Sequence, residues 1–270
     1  MSSTINLAPF PNNVGTILQY QLFDQSTLVQ LPLKTIIRLY GTVGSGKGTL
    51  AKNLMSSLEL TNLETSFILR SCTWIYQQLG LEFNDTNTDI VYSQLEIKMN
   101  NRALQFFWKS QELTNAQLRS TIVDQNVSIY SGNPHFRSNY YNKINFILDN
   151  LVSTPVILDG RGSNTPYLNQ AELSGYKVIR LFLWVNPEVS YQRFLSRLSV
   201  VANSVSNSSN EQELKDNFIK NVLNRDNQDY SNIVSNNLGT ISADTGIIDT
   251  SDLTPDQVLE VALGFITSQK

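Results

Sequence analysis

The stretch Gly41-Thr42-Val43-Gly44-Ser45-Gly46-Lys47-Gly48-Thr49 has the residue types and spacing that point most directly to chemistry. Gly41, Gly44 and Gly46 let a backbone turn tightly and aim successive N–H groups at one point. Lys47 adds a point charge, and together they form a cradle for polyphosphate. A helix following such a loop contributes the positive end of its dipole. Gly48 stands where many loops of this kind carry a hydroxyl, so the oxygen donor expected at a magnesium ion is Thr49 or a water. Gly41, Gly44, Ser45, Gly46, Lys47, Gly48, Thr49 and Leu50 are the candidate ligands of a nucleotide's phosphates.

The loop needs a strand before it and a helix after it, and the sequence supplies both. Thr35-Ile36-Ile37-Arg38-Leu39-Tyr40 is a β-branched run that stops at Gly41, the pattern of a buried strand. Leu50, Leu54 and Leu58 recur every fourth residue and place one apolar stripe on a helix. Leu95, Ile97 and Met99 alternate with polar residues, Asn100-Asn101 signals a turn, and Leu104, Phe106 and Trp108 alternate again, which predicts an antiparallel hairpin. Ile144, Ile147, Leu148 and Leu151 mark a helix, followed by the strand Val156-Ile157-Leu158 ending at Asp159-Gly160. A second buried strand covers 178–185. Asn186-Pro187-Glu188 then opens a helix over 189–198 that carries Arg193 and Arg197 on one face.

Residues 200–210 are rich in Ser and Asn and uncharged, the composition of a loop, and a helix is expected from Glu211 into Arg225. The chain closes with a strand at Ile247-Ile248 and a helix opened by the capping box Thr254-Pro255-Asp256-Gln257, with Val258, Val261, Phe265 and Ile266 inward. Strands alternating with helices predict an α/β fold, a parallel sheet covered on both faces. Residues 1–33, with Pro9, Pro11 and Pro32, read as an N-terminal extension before a main domain over 34–270.

Composition removes several function classes. Twenty Lys plus Arg against 23 Asp plus Glu leaves a net charge of −3, without the basic excess of a general nucleic-acid binder. Cys72 and His135 are the only residues of their types and cannot build a zinc cage or a disulfide framework. Neither a signal peptide nor an apolar run of about 20 residues is present, so the expectation is a cytoplasmic protein that meets no membrane. Nothing in the sequence requires a second copy, and a monomer is expected.

Gly-Lys-Gly-Thr is the form found in nucleoside monophosphate kinases, and the stretch GSGKGTLAKNL resembles the cytidylate kinase family. Glu64-Thr65-Ser66-Phe67-Ile68-Leu69-Arg70 sits where that family has Asp-Thr-Gly-Ala-Met-Tyr-Arg. Its pattern of Arg-Thr-x-x-Val, a Ser, a Pro and a second Arg is matched without a gap by Arg119, Val123, Ser128, Pro134 and Arg137. Asp159-Gly160-Arg161-Gly162 is similar to the family's Asp-Gly-Arg-Asp, Arg225-Asp226-x-x-Asp229 to its late Arg-Asp-x-x-Asp, and IIDTSDLTPDQVLEVAL to its closing strand and helix.

The resemblance implies a P-loop fold of three α/β/α layers, with an inserted acceptor-binding subdomain over 85–125 and a lid over 189–224. It implies transfer of the ATP γ-phosphoryl group to CMP or dCMP with Mg²⁺. Arg70, Arg119 and Arg137 would hold the acceptor, Ser128 its base, and Arg225 with Asp229 its sugar and phosphates. Lys47, Arg161 and Arg193 would serve the transfer, Arg193 from the lid. Asp159, at a strand end beside the loop, would order the magnesium through water. Arg38, Arg102 and Arg180 lie outside the matched pattern and are expected on the solvated surface.

Gly162 replaces the family's second Asp, and Asn232 an Arg that helps read cytosine, which opens a second reading with UMP or another small acceptor. Two lid arginines of the family are Ser190 and Phe194 here, with Arg197 a substitute on the same face. That change and the N-terminal extension motivate a third reading, a nucleotide-binding sensor without efficient turnover. Phe106-Phe107-Trp108 and Tyr140-Tyr141, the latter placed before a helix, are expected in core packing rather than base stacking.

Overall fold

A computed structural model describes residues 16–24, 30–150, 153–159, 166–201, 218 and 244–269. The strands are β1 (Thr16–Leu18), β2 (Thr35–Gly41), β3 (Thr61–Glu64), β4 (Glu96–Asn100), β5 (Ala103–Trp108), β6 (Gln111–Glu112), β7 (Val156–Asp159), β8 (Lys177–Trp184) and β9 (Gly246–Asp249). The helices are α1 (Lys47–Ser57), α2 (Ser66–Leu79), α3 (Asp85–Gln94), α4 (Asn115–Leu118), α5 (Thr121–Ser131), α6 (Pro134–Asn150), α7 (Pro166–Leu173), α8 (Pro187–Val201) and, last, α9 (Pro255–Ser268).

The strand order is β1-β9-β8-β2-β7-β3-β5-β4, with β6 beside β5. The inner strands β9, β8, β2, β7 and β3 are all parallel. Their residues alternate between two cores. Ile37, Leu39, Ile157, Leu181 and Leu183 pack with Leu50 and Leu54 of α1 and with Val261 and Ile266 of α9. Ile36, Val156, Leu158 and Val178 pack with Ile68 and Ile75 of α2, Ile144 and Ile147 of α6, and Leu168 of α7. The sheet therefore has helices on both faces, which is why its strands read as nearly continuous apolar runs. The chain leaves β2 for one side of it and, after β7, crosses to the other, which makes the end of β2 the switch point where ligands bind in open α/β sheets.

The hairpin forms as its alternation predicts, with Ile97 opposite Phe106 and a two-residue turn at Asn101 and Arg102 in the left-handed region, φ 48° and 63°. Phe106 meets Phe67 edge-on at 6.1 Å and Trp108 meets Trp74 at 5.4 Å, so this aromatic run is packing. Cys72 is fully buried, and burial pushes its thiol up, away from reactivity. His135 Nε2 donates to Asp89 Oδ1 at 2.7 Å on the surface.

Four expectations are corrected. Arg38 and Arg180 are buried at 1% and 7% exposure rather than solvated. They are register partners on β2 and β8; Arg38 donates to Leu158 O at 3.1 Å, and Arg180 pairs with Glu172 at 2.7 Å and Asp244 at 3.3 Å. The helix expected from Ile144 starts ten residues earlier, at Pro134, where Asn133 Oδ1 accepts from Phe136 N at 2.9 Å. Tyr140 and Tyr141 consequently lie inside a helix, not before one. Residues 16–18, within the stretch read as preceding the fold, form β1 along the edge of β9. Among the described residues no helix is long and apolar enough to cross a membrane.

Candidate functional site

Why the loop turns where it does is set by close approach. Gly41 has φ +146° and a side chain there would come within 1.9 Å of Leu183 O, so only glycine lets β2 run past the end of β8. Thr42 N continues that pairing to Leu183 O at 3.0 Å, and Val185 N donates to Thr42 Oγ1 at 3.2 Å. Ser45 is buried and its Oγ donates to Thr42 O at 2.7 Å. Lys47 Nζ donates to Gly41 O at 2.9 Å and Thr42 O at 2.8 Å, which holds the ammonium over the loop. Gly46, with φ 89°, is the N-cap of α1, so Lys47, Gly48 and Thr49 form the first turn, where backbone N–H groups face an anion. Thr49 is exposed and Leu50 is buried against the sheet.

Asp159 is the last residue of β7 and the register partner of both Leu39 on β2 and Glu64 on β3. Two half-buried carboxylates, Asp159 and Glu64, thus stand at neighbouring strand ends beside the loop. Thr65, buried next to them, donates to Asp159 O at 3.5 Å. Among the described residues no set of three His, Cys, Asp or Glu side chains could enclose a metal. One or two carboxylates without an all-protein cage are the donor set that suits Mg²⁺ shared with phosphates.

The other matched residues gather around α2 and α5. Arg70, in the second turn of α2, donates to Leu118 O at 2.9 Å and pairs with Asp124 of α5 at 2.6 Å. The Arg119 guanidinium lies 5.1 Å from the Phe67 ring centre, one turn before Arg70 on the same helix. Ser128 is exposed on α5, one turn beyond Asp124 and on its face. Arg137, exposed in α6, donates from Nε to Ser131 O at 2.9 Å, the carbonyl end of α5, where its charge complements the helix dipole. Arg161, Arg225 and Asp229, with Gly162 and Asn232, lie outside the described residues.

Arg193 sits on the glycine loop. Its Nη1 donates to Gly44 O at 3.0 Å and Thr250 Oγ1 at 3.2 Å, and its Nη2 to Thr250 O at 2.6 Å. Ser190, one turn earlier, donates to Val43 O at 2.7 Å. Phe194 turns instead into an aromatic cluster, 5.0 Å from the Phe218 ring and 6.5 Å from Tyr191. Spacing could not reveal the loop contacts of Ser190 and Arg193 or the partners Asp124 and Glu64. The only local signal was the Asn186-Pro187 helix start, which fixes where α8 begins.

The cytidylate kinase family model matches residues 37–268. The chain is 28% identical over 160 residues to a cytidylate kinase of Leuconostoc mesenteroides, covering 58% of this chain and 67% of that one. It is 24% identical over 235 residues to one of Shouchella clausii, covering 85% and 95%. A solved structure of a putative kinase from Chloroflexus aurantiacus is similar at 11% identity and TM-score 0.40, over 90% of this chain and 100% of that one. With a glycine-rich loop at the switch point of a parallel sheet and a family match running from β2 through α9, the chain belongs to the cytidylate kinase family of ATP-dependent phosphotransferases.

Proposed function

We propose that this protein transfers the γ-phosphoryl group of ATP to CMP or dCMP, giving ADP and the pyrimidine diphosphate. Arg70, Arg119, Ser128 and Arg137, scattered in sequence, all border the α2 and α5 pair, and that convergence is the observation that carries the reading.

The loop amides and Lys47 bind and orient the ATP phosphates, and the α1 N-terminus adds its dipole. Asp159, with Glu64 beside it, would hold Mg²⁺ together with the nucleotide phosphates, and Thr49 in the first turn of α1 is a further candidate oxygen. When bound, the ion supplies neutralising charge on the transferring phosphates. An oxygen of the acceptor phosphate attacks the γ-phosphorus while the bond from the γ-phosphorus to the β,γ-bridging oxygen breaks, and ADP leaves with that electron pair. The attacking oxygen is already ionised at neutral pH, so no general base is needed. Arg70, Arg119 and Arg137 hold the acceptor, Ser128 hydrogen-bonds its base, and Arg161, Arg225 and Asp229 complete the site from segments matched in sequence. Positioning and charge complementarity supply the acceleration.

The test is ADP release with ATP and Mg²⁺, offering CMP, dCMP, UMP, AMP, GMP and dTMP separately. CMP and dCMP are expected to turn over fastest. Faster turnover of UMP or a purine monophosphate would move the acceptor within the same fold, and nucleotide binding with no turnover of any would favour the sensor reading.

A further inference from the structure

The backbone of the phosphate loop is held from outside by α8. In a trans peptide the carbonyl and the following N–H point in opposite directions, so fixing one fixes the other. Ser190 Oγ holds Val43 O at 2.7 Å, which turns Gly44 N–H away from α8. Arg193 Nη1 holds Gly44 O at 3.0 Å, which turns Ser45 N–H inward, where it donates at 3.4 Å to Thr42 O across the loop. Two consecutive peptides of the loop, Val43–Gly44 and Gly44–Ser45, are therefore oriented by side chains of one helix turn. Packing agrees: a side chain at Gly44, with φ +76°, would come within 2.5 Å of Ser190 Oγ and 3.2 Å of its Cα, so loop and helix are in direct contact.

Arg193 also ties the loop to the end of β9, two strands from β2. Thr250, directly after β9, accepts from it at both Oγ1 and O, while Thr250 N and Oγ1 donate to Trp184 O at 2.9 and 3.0 Å. Asn186 N, just before α8, donates to Ser251 Oγ at 2.9 Å. Loop, α8 start and β9 end form one hydrogen-bonded unit.

We propose that Ser190 and Arg193 are positioning residues that, by fixing the Val43–Gly44 and Gly44–Ser45 peptides, hold the loop in the conformation that binds the β-phosphate of the nucleotide, Arg193 acting through the loop and not on the transferring phosphoryl group. This rests on the loop's role in binding nucleotide and is independent of which monophosphate accepts the phosphoryl group. Since the loop meets a phosphate that ATP and ADP share, both nucleotides lose affinity alike when the clamp is removed. An arginine that touched the γ-phosphate would favour ATP alone.

The experiment is fluorescence titration of the full chain with ATP and ADP, for wild type, Ser190→Ala, Arg193→Ala, Arg193→Lys and the double variant Ser190→Ala/Arg193→Ala. Arg193→Ala is expected to weaken ATP and ADP by a common factor of about ten, the scale of lost hydrogen bonds to a charged group. Ser190→Ala should weaken both by about threefold, and the double variant by less than the product, because both residues hold one loop. Arg193→Lys should recover part of the loss, since one ammonium can still reach Gly44 O or Thr250 O. In steady state KM for ATP should rise more than kcat falls. An Arg193→Ala loss for ATP more than about threefold greater than for ADP, or unchanged affinity for both, would overturn the proposal. Should Arg193→Ala fail to fold, Ser190→Ala and Arg193→Lys carry the same comparison. Wild-type protein that binds neither nucleotide would overturn the nucleotide-binding role itself, an outcome separate from any difference among variants.

Discussion

Arg70 of α2 and Asp124 of α5 are joined by a 2.6 Å ion pair at the place where the acceptor's phosphate is proposed to bind. A carboxylate on that guanidinium competes with a phosphate for the same donor and repels it. With side chains 21% and 53% exposed, the pair is of the solvent-screened kind worth about 0.2–1 kcal/mol. Asp124→Asn should therefore lower KM for the acceptor by about two- to fivefold at low salt, and the gain should shrink as ionic strength rises. Acceptor titrations of wild type and variant at two salt concentrations check this. An unchanged KM would mean that Arg70 does not meet the acceptor's phosphate.

The glycines of the loop differ in what they tolerate. Gly44→Ala meets Ser190 and carries a positive φ, so it should lower stability and weaken ATP binding together. Gly48 has open space around it and lies in the first turn of α1, where alanine is the better helix former by about 0.5–1 kcal/mol. Gly48→Ala should accordingly raise the unfolding midpoint in urea while Gly44→Ala lowers it, a contrast that chemical denaturation measures directly.

Burial sets an alkaline limit on stability. Tyr40, 1% exposed, has its hydroxyl pushed up from 10.0 to about 12, first by loss of water around the phenolate. The unfolded chain releases this proton near pH 10 while the folded chain keeps it, so the stabilisation is complete below pH 10 and is lost as pH rises from 10 through 12. The loss due to this one group is roughly 3 kcal/mol. Tyr40→Phe should flatten the fall in unfolding free energy over that window, at the cost of the 3.1 Å bond with Thr245 Oγ1. An equally steep fall in the variant would assign the effect to other tyrosines.

Arg180 is buried with Glu172 and Asp244 as partners, and removing one leaves a desolvated charge half compensated. Glu172→Ala should destabilise the protein by about 1–3 kcal/mol, the range for leaving a buried donor unmet. A loss below about 0.5 kcal/mol in urea unfolding would mean that Asp244 alone satisfies the guanidinium.

What could be read in the sequence was local. The strand, glycine loop and helix from Thr35 to Ser57 follow from short-range pattern, as do the Asn101-Arg102 hairpin and the capping box at Thr254. Leu58 shows the limit of periodicity: it continues the apolar stripe, yet it is the extended C-cap where its N–H closes on Leu54 O. The early start of α6 was signalled by Asn133-Pro134 but masked by the polar residues that follow. Burial of Arg38 and Arg180 was signalled only by their place inside two runs with the pattern of buried strands, and their partners had no local sign, because Glu172, Asp244 and Leu158 are brought to them by the sheet. Around the candidate site, the place of the loop between β2 and α1 and of Asp159 at the end of β7 was legible from residue type and position. The grip of Ser190 and Arg193 on Val43 and Gly44 was not, since it depends on how β8 delivers α8 to the loop.

The most direct test of the central claim is a competition in one tube, with equal CMP and UMP, limiting ATP and Mg²⁺, and the diphosphate products separated and quantified against a Lys47→Ala blank. The account predicts that CDP forms in excess over UDP and that neither forms in the blank. UDP equal to or exceeding CDP, or product that persists without Lys47, would contradict it.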